Sequence, residues 1–263
     1  MIKAIIGMHD WFSTPAGAYL LDWESRQLDA AVANIFGYHA LQLGAPSVQA
    51  LRANRMPHQW LADAHLPHPV APGARTPDLL TDPAGLPFPA SSLDLVVLPH
   101  TLEFSADPHA TLREVERVLV PEGRVVICGI NPASLWGLQQ RRGRLYQRLG
   151  IGQLFLPPGG DFIGYWRLGD WLRLLGLEVE SGAFGCYRPG VRSPQWLQRL
   201  AWMDGLGERW WPIFGAAYCL VAVKRVRGMR LLGPAWKQQR VHAAKPLPTA
   251  NRASETQQRE ASE

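Results

Sequence analysis

Nowhere in the 263 residues do about 18 apolar residues follow one another, so no membrane span is expected. The opening MIKAIIGMHDWF holds only a short apolar patch before His9 and Asp10. It lacks the longer apolar run and small-residue cleavage site of a secretory signal, which points to a cytoplasmic protein. Cysteine is scarce. Cys128, Cys186 and Cys219 stand far apart in apolar contexts and no CxxC occurs. That argues against a zinc site or a redox pair and reads as buried thiols in a reducing compartment. No G-x-G-x-x-G follows the first expected strand, which disfavours a nicotinamide-linked oxidoreductase. No G-x-S-x-G is present to suggest a hydrolase, and no internal repeat suggests a solenoid.

What is present suits one globular domain with an appendage: 47% of residues are hydrophobic and 19% charged. The formal net charge of +5 is unevenly spread. Residues 224–263 carry nine Lys/Arg and three Asp/Glu, a surplus of six, so residues 1–223 stand at −1. The expected division is a domain over 1–227 and a basic, unstructured tail over 228–263, where periodicity gives way to Gln, Ala and Ser. Arg141-Arg142-Gly143-Arg144 is a second basic cluster. Either could touch nucleic acid through charge alone. No RNA-binding motif accompanies them, so nucleic acid is not the favoured partner and a small-molecule substrate is.

The stretch Leu86–Leu138 organises the rest. Leu93–Leu98 is a short Leu/Val-rich run suited to a strand buried on both faces. Asp107-Pro108 starts a helix, because Asp caps free amides and Pro at the first helical position loses nothing. Leu112, Val115 and Leu119 share a face, Pro121-Glu122-Gly123 turns the chain, and Arg124–Ile130 is a second buried strand. Such a unit makes a parallel pair with a right-handed crossover. Around it we expect an amphipathic helix over 19–36 with Leu21, Leu28, Val32, Ile35 and Phe36 inward. Strands follow at His39–Leu43, His58–Ala62 and Asp78–Thr81, with a brief helix after the first, ending near Ala53. Pro67, Pro69, Pro72 and Pro77 forbid a regular helix between the last two strands. Residues 131–161 show little periodicity. A helix over Leu168–Leu175, a strand over Leu177–Glu180, a helix opened by Ser193-Pro194 and a last strand over Phe214–Lys224 complete the chain. The pattern is that of an open, mainly parallel α/β sheet, which binds ligands beyond the carboxyl ends of its strands.

Several strings carry a resemblance: Asp82-Pro83-Ala84-Gly85-Leu86-Pro87-Phe88, Ser92-Leu93-Asp94-Leu95-Val96, Arg113-Glu114-Val115-Glu116-Arg117-Val118-Leu119, and Pro121-Glu122-Gly123-Arg124. In this order and spacing they resemble the type 11 group of class I S-adenosylmethionine-dependent methyltransferases, over His39–Leu138 and more loosely to Lys224. Asn131–Leu138 also resembles a small branch of uncharacterised bacterial proteins in that group. The resemblance implies a single doubly wound, seven-stranded Rossmann-like sheet with an antiparallel last strand, a cofactor half over 39–130 and a substrate-side half over 131–224. It implies S-adenosylmethionine as cofactor. By position, Gly44 would lie beside the methionine part, Asp63 would bind the ribose hydroxyls, and Asp82 with Pro83 would face the adenine. Leu98 and His100 would line the site, and Asn131 would point towards the substrate. The chain departs from the pattern at Leu41-Gln42-Leu43-Gly44-Ala45-Pro46-Ser47-Val48, where Gln42 replaces an acid and only the first glycine remains.

Each site residue also has a structural reading. Asp82 could be a turn residue, Asp63 a loop residue, and His100 a satisfied core histidine. His100 or Glu103 would be the base if the acceptor must lose a proton. Seven of the eleven tryptophans fall between residues 131 and 223. They pack a core, or else Trp136, Trp166 and Trp211 wall a pocket for an apolar or aromatic acceptor. No metal site is expected. The expected activity is methyl transfer to a small or lipid-like acceptor. The alternatives are a binding or regulatory protein that retains the fold without turnover, and an RNA methyltransferase.

Overall fold

The structure is a computed structural model describing residue 8 and residues 11–64, 75–148, 154–157 and 160–225. The chain divides into two units, residues 1–226 and 227–263, and the described residues all belong to the first. The expected tail, and most of the proline-rich stretch before Pro77, lie outside the described residues.

Seven strands form one sheet in the order β3-β2-β1-β4-β5-β7-β6. They are β1 (His39–Leu43), β2 (His58–Asp63), β3 (Leu79–Leu80), β4 (Leu93–Pro99), β5 (Leu119–Ile130), β6 (Leu177–Gly185) and β7 (Ala217–Lys224). The pairs from β3 to β5 are parallel, and β7 runs antiparallel to both β5 and β6. Strand order reverses between β1 and β4, so the carboxyl ends of these two strands flank the crevice where such sheets bind ligands.

β4 shows why its run is continuously apolar. Leu95 and Val97 join the core on one face of the sheet, Val96 and Leu98 the core on the other. Helix α1 (Pro15–Val32) covers the first face with Leu20, Trp23, Leu28 and Val32. It starts earlier than the periodicity suggests, because the Thr14 side chain accepts a bond from the Gly17 amide and Pro15 fits the first turn. It also ends earlier, at Val32, and Phe36 is exposed. After a one-turn helix, α2 (Thr101–Phe104), helix α3 (Pro108–Val118) covers the opposite face, opened by the expected Asp107 cap.

Three local expectations change. Pro121-Glu122-Gly123 does turn, with Glu122 at φ 63°, but inside β5, where the register slips from Leu93↔Leu119 to Leu95↔Arg124. The residues between β1 and β2 form turns and no helix. The supposedly aperiodic region contains helix α4 (Leu135–Arg148). Next come α5 (Tyr165–Leu174), α6 (Pro194–Arg199), α7 (Trp202–Trp210) and a 3-10 turn over Pro212–Phe214. Among the described residues no helix is long and apolar enough to cross a membrane.

The strings that carried the resemblance meet in space as a clasp. Glu114 Oε1 accepts from the Leu86 amide at 2.9 Å, and Arg117 donates to the carbonyls of Leu86 and Phe88 at 3.2 and 2.9 Å.

Close packing of α1 on the sheet depends on Gly185 at the end of β6, where a Cβ would overlap the indole of Trp23. Gly185→Ala is expected to lower the unfolding free energy by about 1–3 kcal/mol. Gly169→Ala, in α5 with nothing within 4 Å of the new methyl, should raise it by about 0.5–1 kcal/mol. Urea unfolding of the two variants measures both effects.

Candidate active site

The turn after β1 replaces glycines with a side chain. Gly44 has φ 80° and Ala45 φ 46°. Their carbonyls, with that of Val48, accept from Gln42 Nε2 at 3.2, 3.1 and 2.6 Å, and Gln42 Oε1 accepts from the Ala50 amide at 3.0 Å. Gln42 is buried, so these bonds form where water does not compete. Three carbonyls need a donor. A carboxylate has none to give, which explains the amide at this position. The Gly44 amide reaches the Ala62 carbonyl at 2.7 Å, tying β1 to β2. Thr101 Oγ1 donates to the Leu43 carbonyl, and a Cβ on Gly44 would come within 3.1 Å of that oxygen.

This turn forms one wall of a cleft at the carboxyl ends of the strands. Leu43, Gly44, Asp63, Asp82, Pro83 and Thr101 line it, together with the segment Phe104–Ala106. Four of the residues assigned to the cofactor by position, Gly44, Asp63, Asp82 and Pro83, are thus brought together. Asp63 is buried at the end of β2 and its Oδ1 accepts from the Ala64 amide at 2.6 Å. Asp82 is exposed and caps its own turn, accepting from the Ala84 amide at 2.9 Å. Two carboxylates and a positive-φ glycine against a threonine suit a ligand rich in hydroxyl and amino donors, as S-adenosylmethionine is. The cavity volume is about 20 Å³, room for one water.

His100 and Glu103 do not line the cleft. His100, in the left-handed region at φ 56°, caps the end of β4 and is fully enclosed. Its Nδ1 lies 2.9 Å from Glu103 Oε2 and its Nε2 lies 2.8 Å from Glu24 Oε1. Glu24 comes from α1. It sits on the helix face otherwise occupied by Leu20, Trp23 and Leu28, and a buried acid there was the only available signal. Glu103 Oε1 accepts from the Ile130 amide. The Glu24–His100 contact is close but poorly aligned, and Glu24 Oε2 has no partner among the described residues. Burial alone would push the His100 pKa down. The carboxylates of Glu24 and Glu103 outweigh it and raise it to about 10. Burial raises the Glu103 carboxyl against the pull of His100.

The remaining expected site residues are structural in their placement. Leu98 is in the core under α3. Asn131 is buried, donates to the carbonyls of Ile213 and Gly215 at 2.8 and 3.0 Å and accepts from the Ala133 amide. Trp136 is fully buried against Trp11 and Phe155, and its Nε1 donates to the Arg188 carbonyl at 2.7 Å. Trp166 is exposed on α5 beside Asp170 and Val179 and does not meet Trp136. The apolar opening at this edge of the sheet lies elsewhere. Leu135 and Leu138 of α4 face Tyr187, Met203, Trp211 and Phe214 across an open cleft of about 500 Å³, with Arg141 at its rim. A run of aromatic contacts, Phe12 to Trp11 to Trp136, connects the neighbourhood of His100 to the helix lining this second cleft.

The strand order, the single reversed strand and the cleft at the switch point define the class I S-adenosylmethionine-dependent methyltransferase architecture. The family profile described as Methyltransferase domain matches residues 62–127. Uncharacterized protein YafS of Escherichia coli (strain K12) is 32% identical over 179 residues, covering 67% of this chain and 68% of that protein. The chain belongs to this methyltransferase family. Two solved structures share the fold. An S-adenosylmethionine-dependent methyltransferase from Thermotoga maritima matches with TM-score 0.58 and 17% identity, over 82% of this chain and 94% of that one. The [4+2]-cyclase SpnF matches with TM-score 0.51 and 18% identity, over 78% and 81%.

Two outcomes test the site as described. Gln42→Glu should destabilise the protein by about 3 kcal/mol, more than Gln42→Ala, because it sets a charge against three buried carbonyls. Equal losses in thermal and urea unfolding would contradict the donor role. His100→Gln should cost about 3–5 kcal/mol near pH 7, since both flanking carboxylates lose their cation. The folded pKa of His100 lies above the unfolded value, so its stabilisation is complete below pH ~6.5 and is lost as pH rises through about 10. The gap between wild type and variant should therefore narrow from pH 7 to pH 10.5 in urea titrations.

Proposed function

We propose that the protein transfers a methyl group from S-adenosylmethionine to an apolar, lipid-like acceptor. The observation that carries this is the convergence of Gly44, Asp63, Asp82 and Pro83 on one cleft at the switch point of the sheet. Asp63 would accept from the ribose hydroxyls, Asp82 with Pro83 would face the adenine, and Gly44 would leave room for the methionine part. The cofactor supplies a methyl group on a sulfonium, open to in-line displacement. The work of the chain is positioning and water exclusion. Thr101 and Gln42 hold the turn that carries Gly44. Glu24, His100 and Glu103 fix the adjacent corner at the end of β4. Their enclosure favours positioning over proton transfer, and an acceptor that attacks without losing a proton would need no base. The open apolar cleft beside Leu138 and Trp211 supports the lipid-like character of the acceptor.

A second reading is a binding protein that retains the fold without methyl transfer. The small volume of the first cleft favours it, and the fold itself hosts other chemistry, as in SpnF. Calorimetry with S-adenosylmethionine and S-adenosylhomocysteine separates the two. Micromolar binding, weakened about tenfold or more by Asp63→Ala or Asp82→Ala, supports the enzyme. No heat at high micromolar ligand favours the second reading.

A further inference from the structure

Helix α7 is turned inside out. Trp202, Met203, Leu206 and Trp210 fall within about 100° of arc, and this stripe is the helix's apolar face. In a core-packed helix it would be buried. Here Trp202 is 61% and Trp210 70% exposed. The face held against the protein is instead small and polar. A Cβ on Gly207 would overlap the Tyr187 ring, and Asp204 bonds Tyr19, the Tyr187 amide and Arg188.

Helix α4 repeats the arrangement. It buries Trp136 and Gln140, whose side chain exchanges two bonds with the Leu156 backbone. Outward it presents Leu135, Leu138, Leu145 and Tyr146, with Arg141 and Arg142 among them. The apolar cleft joins them: Leu135, Leu138 and Arg141 of α4 line it together with Met203 of the α7 stripe and with Trp211 and Phe214 just beyond α7. Exposed apolar side chains grouped around one cleft, rather than scattered singly, mark a docking site.

Charge selects the occupant. The sequence of α4 contains arginines and no acid; on α7 Asp204 is already paired with Arg188, and the exposed Glu208 falls on the side of the helix opposite the apolar stripe. Outward leucines, interfacial Trp and Tyr, and interspersed arginines match the requirements of an anionic bilayer surface. A second copy of the chain would bring like charges together. We infer that the outward faces of α4 and α7 dock the protein on an anionic membrane surface, with the apolar cleft opening towards the lipid.

The inference concerns binding to a surface and is read without cofactor, so its failure is distinct from failure of the methyl-transfer reading. The full chain is sedimented with vesicles of phosphatidylcholine alone and of an equimolar mixture with phosphatidylglycerol, at low and high salt. Strong association with the mixed vesicles, reduced by salt, is expected. Arg141→Ala with Arg142→Ala should weaken it by about tenfold or more, and Leu138→Gln with Trp210→Gln by at least as much. These positions are exposed, so the variants should keep the wild-type unfolding midpoint. Absence of association overturns the inference. So does association that survives both double variants, which would assign it to residues elsewhere. A concentration-dependent dimer abolished by the Leu138/Trp210 variant, without vesicle binding, would give the face to a second copy and overturn it too.

Discussion

The enclosure of a histidine between two glutamates is the constraint on which the site end of this protein depends. Three ionisable groups are out of water together, an arrangement that survives only with short separations and closed packing. Glu24 brings α1, His100 ends β4, and Glu103 reaches the backbone at Ile130, the last residue of β5. The N-terminal helix is therefore tied to the ends of two central strands by charge as well as by its apolar face. His100 itself stands in the left-handed region while its ring contacts both carboxylates. The adjacent Thr101, which steadies the β1 turn, takes its position from that corner.

The β1 turn is held from within by one side chain. A glycine-rich turn offers free backbone amides, whereas this one offers carbonyls, and Gln42 supplies the donors they need. The exchange of an acid for an amide matches the orientation of the backbone around it. The clasp of Leu86 with Glu114 and Arg117 makes a related point: strings that identify a family can be recognisable because they lock a helix to a loop. Such strings report fold.

The two halves of the carboxyl edge differ in kind. Over β1, β2 and β4 the cleft is narrow and carries the carboxylates of Asp63 and Asp82 among small and apolar neighbours. Over β5, β6 and β7 it is open and apolar, and the helices above it turn indoles and leucines outward. A stable domain does not gain from exposing those groups to water, so their placement is most economically explained by something they contact.

The sequence by itself determined most of the strands and the Asp107 cap, through local signals: runs of apolar residues and capping side chains. The seven-stranded sheet and the places given to Gly44, Asp63 and Asp82 came from the resemblance of its strings to a family. The sequence did not determine Glu24, which lies 76 positions before His100 and looks like one more charged residue on an amphipathic helix. It did not reveal α4, because exposed leucines and a buried Gln140 blur the apolar period that marks a helix. Nor could it say which tryptophans are enclosed, since Trp136 and Trp166 read alike until α4 meets the N-terminal aromatics and α5 does not. Tertiary structure decided these points because each depends on the group placed opposite a side chain, and distant parts of the chain meet only on folding.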